Sequence, residues 1–340
     1  MTTIGDIGEF GLIARLTAGL SRRADVLDGV GDDAAVVTLD AGDALVATCD
    51  AQVEGTHFRL AYATPFSIGQ RALAVNLSDI AAMGATPRYA LISLLAPPTL
   101  DVAILDGIYA GLRHEADRYG VAIIGGNVAR NPERLVLDIT LLGSGVPRYL
   151  LRRSGAQHGD TIFVTGSLGM AAAGLRVLND DAVRRDLTAA VVATVLAAQQ
   201  TPTPRVAAGQ WLAHNGVTTA ALDISDGLAA DLHHLCAASD VGATIDADRI
   251  PIDDATVAVA KRIDTPASEL ALFGGEDYEL LFTANVAAPE TLSQALFDAT
   301  GISATPIGTI TAEHTITLAR AGTLVPLLSR GWDHMIERIL

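Results

Sequence analysis

The stretch NLSDIAAMGATPRYALISLLAP, residues 76–97, sets one carboxylate, Asp79, into a run that is otherwise almost wholly small or apolar. From Ala72 to Met83 the spacing predicts a helix buried around most of its circumference. On a 3.6-residue period Asn76, Asp79 and Met83 share one face. A buried carboxylate is unfavourable by roughly several kcal/mol unless a cation or hydrogen-bond donors offset it. Asp79 therefore caps a neighbouring loop, pairs with an arginine, or serves a site, and only the surrounding sequence can decide among these.

Outward from this helix, short strands and helices alternate between Gly and Pro punctuation. EFGLIARLTAGL (9–20) reads as a helix, and AAVVTL with ALVATCD as a hairpin joined by a turn at Ala41–Asp43. The helix of 65–84 precedes a strand near 88–95, a helix near 102–119, and strands at 121–124 and 134–145. PRYLLRRSGAQHG (147–159) breaks the pattern with Pro, Gly and three Arg, which suggests a boundary. A second series starts at DTIFVTGSLG, and within it LTAAVVATVLAA (187–198) reads as a buried helix. Strand-rich runs and helices without strict βαβ order favour an α+β (mixed α/β) fold in two domains, 1–146 and 147–340.

The chain has 340 residues, enough for two cores. Thirty-nine acidic against 23 basic residues give a net charge of −16, which argues against a nucleic-acid partner. Mean hydropathy is +0.35, yet no apolar run reaches the roughly 18 residues of a membrane span. MTTIGDIGEF lacks a basic region followed by an apolar segment, so cytoplasmic residence is expected. Cys49 and Cys236 form no disulfide or zinc motif. The only lysine is Lys261, so neither a Walker A loop nor a protein-kinase strand lysine is available. Phosphate chemistry here would rest on metals, backbone amides and arginine.

Acidic and Gly-rich motifs collect at element ends. GDDAAVV carries Asp32 and Asp33, TCD carries Asp50, and EGTHF carries Glu54 and His57. GGN (125–127), DISDGL (223–228) and GGEDYEL (274–280) follow. Each has an ordinary explanation: paired Asp residues start turns, Gly-Gly marks loops, His57 packs in a loop, and Ser225 or Asp226 caps a helix. Together, Asp33, Asp50, Asp79, Asp223 and Asp226 could supply hard oxygen ligands of the kind magnesium takes. The glycine pairs could form anion-binding nests. DISDGL is no EF-hand, since its sixth position is Leu228 and its twelfth His234. GSLGMAAAGL (166–175) lacks the order of a dinucleotide motif.

GDDAAVV, TCDAQVEGTHF, NLSDIAAMGATP, IIGGN, RRSGAQHGD, TPTPRV, DISDGLAADL and GGEDYELLFT, in that order, resemble the thiamine-monophosphate kinase family from about residue 5 to GWDH at 331–334. The wider superfamily includes aminoimidazole ribonucleotide synthetase, selenophosphate synthetase and hydrogenase-maturation proteins. The resemblance implies an ATP-dependent transfer onto the phosphate of thiamine monophosphate. It implies an N-terminal sheet-plus-helices domain that dimerises and a C-terminal α/β sandwich-like domain that completes the site. Carried over residue by residue, it implies several Mg2+ ions on Asp33, Thr48, Cys49 (through its backbone), Asp50, Asp79, Asn127, Asp223 and Asp226, and leaves room for K+. It implies nucleotide contacts from Tyr109, Gly126, Asn127, Arg153 and Ser225. It sets His57, Glu276 and Trp332 on the thiamine side, and gives Asp79, Asp226 and Arg153 the catalytic roles. Asn127 departs from the Asp that some relatives carry.

Among siblings, selenophosphate synthetase would want a reactive Cys or selenocysteine and a Lys near its start, and the first 30 residues hold neither. A hydrogenase-maturation chain would end in cysteine, where this sequence ends ERIL. GGEDYELLFT and EGTHF speak against aminoimidazole ribonucleotide synthetase. A silent nucleotide-binding scaffold is the reading from another class, disfavoured by the retained carboxylates, His57 and Trp332.

Overall fold

The computed structural model describes residues 26–28, 32–38 and 42–332. The helix expected at 9–20 lies outside them. A six-stranded sheet is built from β1 (Val26–Asp28), β2 (Ala35–Thr38), β3 (Ala44–Val53), β4 (Thr86–Ala96), β5 (Ala122–Arg130) and β6 (Val136–Gly145). Its order is β1-β2-β3-β6-β4-β5, antiparallel except for the β4–β5 pair. The expected hairpin is β2–β3, with Thr38 opposite Ala44. Period-two alternation sends Leu137, Ile139 and Leu141 of β6 inward, each 0% exposed, and Asp138 and Thr140 outward.

The strand expected at 121–124 runs on to Arg130, so GGN lies within an edge strand and not in a loop. Close backbone approach is the reason for the glycine: a Cβ on Gly126 would sit 1.9 Å from the Ile92 carbonyl oxygen.

Helix α1 (Pro65–Ala82) starts at Thr64, whose side chain accepts from the Ser67 amide, with Pro65 in its first turn. It crosses the inner face of this sheet and packs on α2 (Val102–Tyr119). The two helices touch backbone to backbone, because a Cβ on Gly69 would meet the Ile108 oxygen at 1.9 Å and one on Gly111 the Phe66 oxygen at 2.0 Å. On its other side α1 meets α6 (Val206–His214) just as closely, with Gly209 against the Ala81 oxygen. Small residues all round α1 are what such crowding requires.

The second sheet has seven strands: β7 (Thr161–Thr165), β8 (Thr218–Ile224), β9 (Gly242–Asp246), β10 (Glu279–Ala284), β11 (Ala304–Thr311), β12 (Ile316–Arg320) and β13 (Thr323–Pro326), in the order β13-β12-β9-β11-β7-β10-β8. β10 is buried along its whole length and β7 along most of it, which explains their unbroken apolar runs. Phe163 and Phe282 stack at 4.9 Å between centroids. One face of the sheet joins the core of α1, α6 and α10 (Pro289–Thr300), while the other is covered by α7 (Leu228–Ser239). A separate helical cluster is formed by α3 (Met170–Asn179), the short α4 (Asp181–Arg185), α5 (Ala189–Gln200), α8 (Asp254–Arg262) and α9 (Ala267–Phe273).

The run 187–198 is not the buried helix its composition suggests. In α5 only Val195 and Gln199 are buried, and the rest is partly or fully exposed. Alanine favours helix without needing burial, so an Ala-rich run can cover a surface on one packed stripe.

Candidate active site

Between Arg71 and Ala85, every residue but Asp79 is buried. Asp79 is thus the one partly exposed residue of this stretch, and its carboxylate meets side chains from both sheets. Asn76, one turn earlier on the same face, is 0% exposed; it accepts from the Asp50 amide at 3.1 Å and donates to the Ala72 oxygen at 3.1 Å. The shared face therefore fixes β3 at Asp50 beside Asp79. Thr48, two residues earlier on the same side of β3, donates its hydroxyl to Asp79. Ser78 donates to Asp223 at the end of β8, 2.6 Å away, drawing the second sheet onto the helix.

Carboxylate oxygens of Asp33, Asp79 and Asp223 come within 4.8 Å of one another. Neither ordinary role for Asp79 is what this environment offers. Desolvation, and then the like charges of Asp50, Asp223 and Asp33, push its pKa well above the usual carboxylate range. Asp223 is raised in the same sense, by burial and then by Asp33. Arg153 partly balances the group: its Nη2 and Nε donate to the two oxygens of Asp33 at 2.8 and 3.1 Å. Burial opposes the Arg153 charge, but Asp33, with Asp223 and Asp32, outweighs that and raises its pKa. Asp32, lifted to about 6 by burial and the Asp33 charge, accepts from the Arg153 amide.

Neither Ser225 nor Asp226 caps α7. Gly227 is the cap residue, and Asp231 reaches back to accept from the amides of Asp226 and Gly227 at 3.1 and 3.0 Å. The loop after β8 also gathers distant segments. The Ser225 carbonyl accepts from the Glu276 amide at 2.7 Å, and the Asp226 carbonyl from the Trp332 amide at 3.0 Å. Glu276, with φ +69°, forms an ion pair with Arg71, which is 2% exposed and which sequence reasoning passed over. His57 follows β3, its Nδ1 accepting from the Val53 amide at 3.0 Å. It lines a shallow depression with Tyr62, Ser67, Arg71 and Gln200.

Four residues stand apart. The Cys49 thiol points to the outer face of the sheet, 3.1 Å from Asp138, so only its backbone is on offer near Asp50. Tyr109 is half-buried against the core on α2, with no hydrogen bond to the acidic cluster among the described residues. Asn127 pairs in register with Ser93 on edge strand β5, and Gly126 with Ile92. In the order β3-β6-β4-β5 Asn127 lies three strand spacings from Asp50, roughly 14 Å, too far to share one ion with it inside a single chain.

Two sheets that bring three carboxylates together belong to a protein of the AIR synthase-related class: residues 31–145 match the model of the AIR synthase related protein N-terminal domain, and 157–320 that of its C-terminal domain. The thiamine-monophosphate kinase of Salmonella typhimurium is 39% identical over 341 residues, covering 96% of this chain and 98% of that protein. That of Bacillus subtilis is 35% identical over 286 residues, covering 84% and 86%. A solved structure of AaThiL complexed with AMPPCP and TMP superposes with a TM-score of 0.84 at 30% identity, covering 98% of this chain and 99% of the other. The chain belongs to the thiamine-monophosphate kinase family.

Proposed function

We propose that this chain transfers the γ-phosphoryl of ATP onto the phosphate of thiamine monophosphate, giving thiamine diphosphate, with Asp33, Asp79 and Asp223 at the centre of its metal site. The meeting of these three carboxylates within 4.8 Å, in a chain with a single lysine, is the observation that carries the reading. Crowded carboxylates, two of which, Asp79 and Asp223, have pKa values raised by burial and neighbouring like charges, are a donor set that fits a hard divalent cation. Bound there, magnesium would offset the charge of both phosphates and hold them for in-line displacement.

The chain's own residues do the rest. Thr48 (which donates to Asp79), Asp50, the Cys49 carbonyl and Asp226 would complete the ligand set. Arg153, with its side chain 21% exposed beside Asp33, faces the donor phosphates together with Ser225. Asp79, Asp226 and Arg153 carry the catalytic burden. The acceptor phosphate is already ionised near neutral pH, so no strong general base is required. His57 and Glu276 take the thiamine moiety, and Trp332, 40% exposed, is available to cover its rings.

Tyr109, Gly126 and Asn127 serve the nucleotide from the first sheet, which pairs with a second copy. Supporting this, the outer face carries an apolar row of Ala47, Leu142 and Tyr89 and a mixed row of Cys49, Thr140 and Leu91, with Tyr89 48% and Leu91 38% exposed. Asn127, in register with Ser93 of the next row, stands at that face. The division into 1–146 and 147–340, a cytoplasmic setting and assistance from K+ belong to the same reading. No helix among the described residues is long and apolar enough to cross a membrane.

Incubation with ATP, Mg2+ and thiamine monophosphate should yield thiamine diphosphate, while the aminoimidazole precursor and selenide should not be turned over. Tight ATP binding with no transfer to thiamine monophosphate would instead establish a silent scaffold.

A further inference from the structure

The one arginine buried on α1 is placed where three parts of the fold meet. Arg71 Nε donates to Gln52 Oε1 of β3 at 3.2 Å, Nη1 to the Gln199 carbonyl at the end of α5, and Nη2 to the Glu276 carboxylate. Its guanidinium also lies 5.9 Å from the centre of the Tyr278 ring. Each nitrogen is thus committed in a different direction, which a lysine could not reproduce.

The loop it grips is under backbone strain. Glu276 and Tyr278 have φ of +69° and +50°, a region disfavoured for residues with a Cβ. The Ser225 and Ile224 carbonyls hold the Glu276 and Tyr278 amides at 2.7 and 2.9 Å, and Gly275 is pressed so close to the Ser225 oxygen that a Cβ would stand 2.4 Å from it. Backbone pairing fixes the path of the loop; among the described residues Arg71 alone holds the Glu276 carboxylate, which is 27% exposed.

We propose that Arg71 is a positioning residue for the acceptor substrate: it aims Glu276 at the thiamine moiety and ties that aim to β3 and α5. The inference rests on Glu276 being on the thiamine side. Arg71 itself touches no substrate, since it is 2% exposed. It borders the depression shared with His57, so two of the three residues assigned to thiamine, His57 and Glu276, flank one buried cation. The electrostatics agree with a permanent charge: burial disfavours the guanidinium, but Glu276 and the neighbouring tyrosines more than reverse this.

The test compares Arg71→Gln, Arg71→Lys, Gln52→Leu and Glu276→Gln in steady-state kinetics with each substrate varied in turn. Arg71→Gln should raise KM for thiamine monophosphate about tenfold or more and change KM for ATP less than twofold. Arg71→Lys and Gln52→Leu, which keep the buried charge, should raise the same KM severalfold. The double variant Arg71→Gln/Glu276→Gln should be no worse than Glu276→Gln alone, because the two act as one unit. Equal loss with both substrates, or KM values for thiamine monophosphate unchanged in every soluble variant, would leave Arg71 as a structural ion pair and overturn the proposal. If Glu276→Gln alone leaves that KM unaltered, the assignment of Glu276 to the thiamine side is what fails.

Discussion

Asp79 shows what one side chain contributes. Its charge is opposed by desolvation and by three neighbouring aspartates, so the ion-free protein carries a stored repulsion. Asp79→Asn should therefore raise the melting temperature in chelator-treated buffer, diminish the rise that Mg2+ gives the native chain, and lower kcat by about 100-fold or more. Calorimetry with and without Mg2+, alongside turnover, checks all three; near-normal kcat would remove Asp79 from the chemistry. His234 on α7 gives a pH counterpart. Burial and then the Arg153 charge lower its pKa from 6.5 to about 4. The unfolded chain then binds more protons between those values, so stability from the neutral ring is complete above pH 6.5 and is lost as pH falls toward 4. The lost contribution is about 3 kcal/mol. Urea unfolding at pH 7.5 and 5 should show a smaller drop for His234→Gln than for the native chain. At this scale the carboxylates were legible, because a charge in an apolar run is conspicuous. Arg71 was not: its partner Glu276 lies 205 positions away, and no local period reports so distant a pairing.

At the scale of elements, helix α1 was legible almost to its ends, since 3.6-residue spacing and a Thr-Pro start are local signals. The glycines of GGN misled because Gly marks both loops and strands whose backbones crowd a neighbour, and only the packed sheet distinguishes the two. The exposed stripe of α5 was hidden for a similar reason, as alanine does not disclose which side faces water. The α1–α6 crossing is where an element-level prediction is sharpest. A Cβ on Gly209 would lie 1.9 Å from the Ala81 carbonyl oxygen, two residues from Asp79. Gly209→Ala should cost about 2 kcal/mol or more despite alanine's better helix propensity, read as a lowered urea midpoint. An unchanged midpoint would mean that the helices have room to part.

For the molecule as a whole, the class of fold followed from alternating strand and helix patterns, but which strands neighbour which did not. Order within a sheet depends on pairings such as β3 with β6, far apart in sequence. The apolar outer face of the first sheet is another whole-molecule property. Leu91→Glu there should convert the proposed dimer to monomers in sedimentation and lower activity with it; a persistent dimer would place the interface elsewhere. A last consequence follows from α1 lying within one continuous core that includes Leu137 and Ile139 of the first sheet and Leu280 and Phe282 of the second. The helix that presents Asp79 cannot detach from either half without opening that core. Partial, local melting is thereby denied to the proposed catalytic centre, and heat inactivation and global unfolding become a single cooperative event.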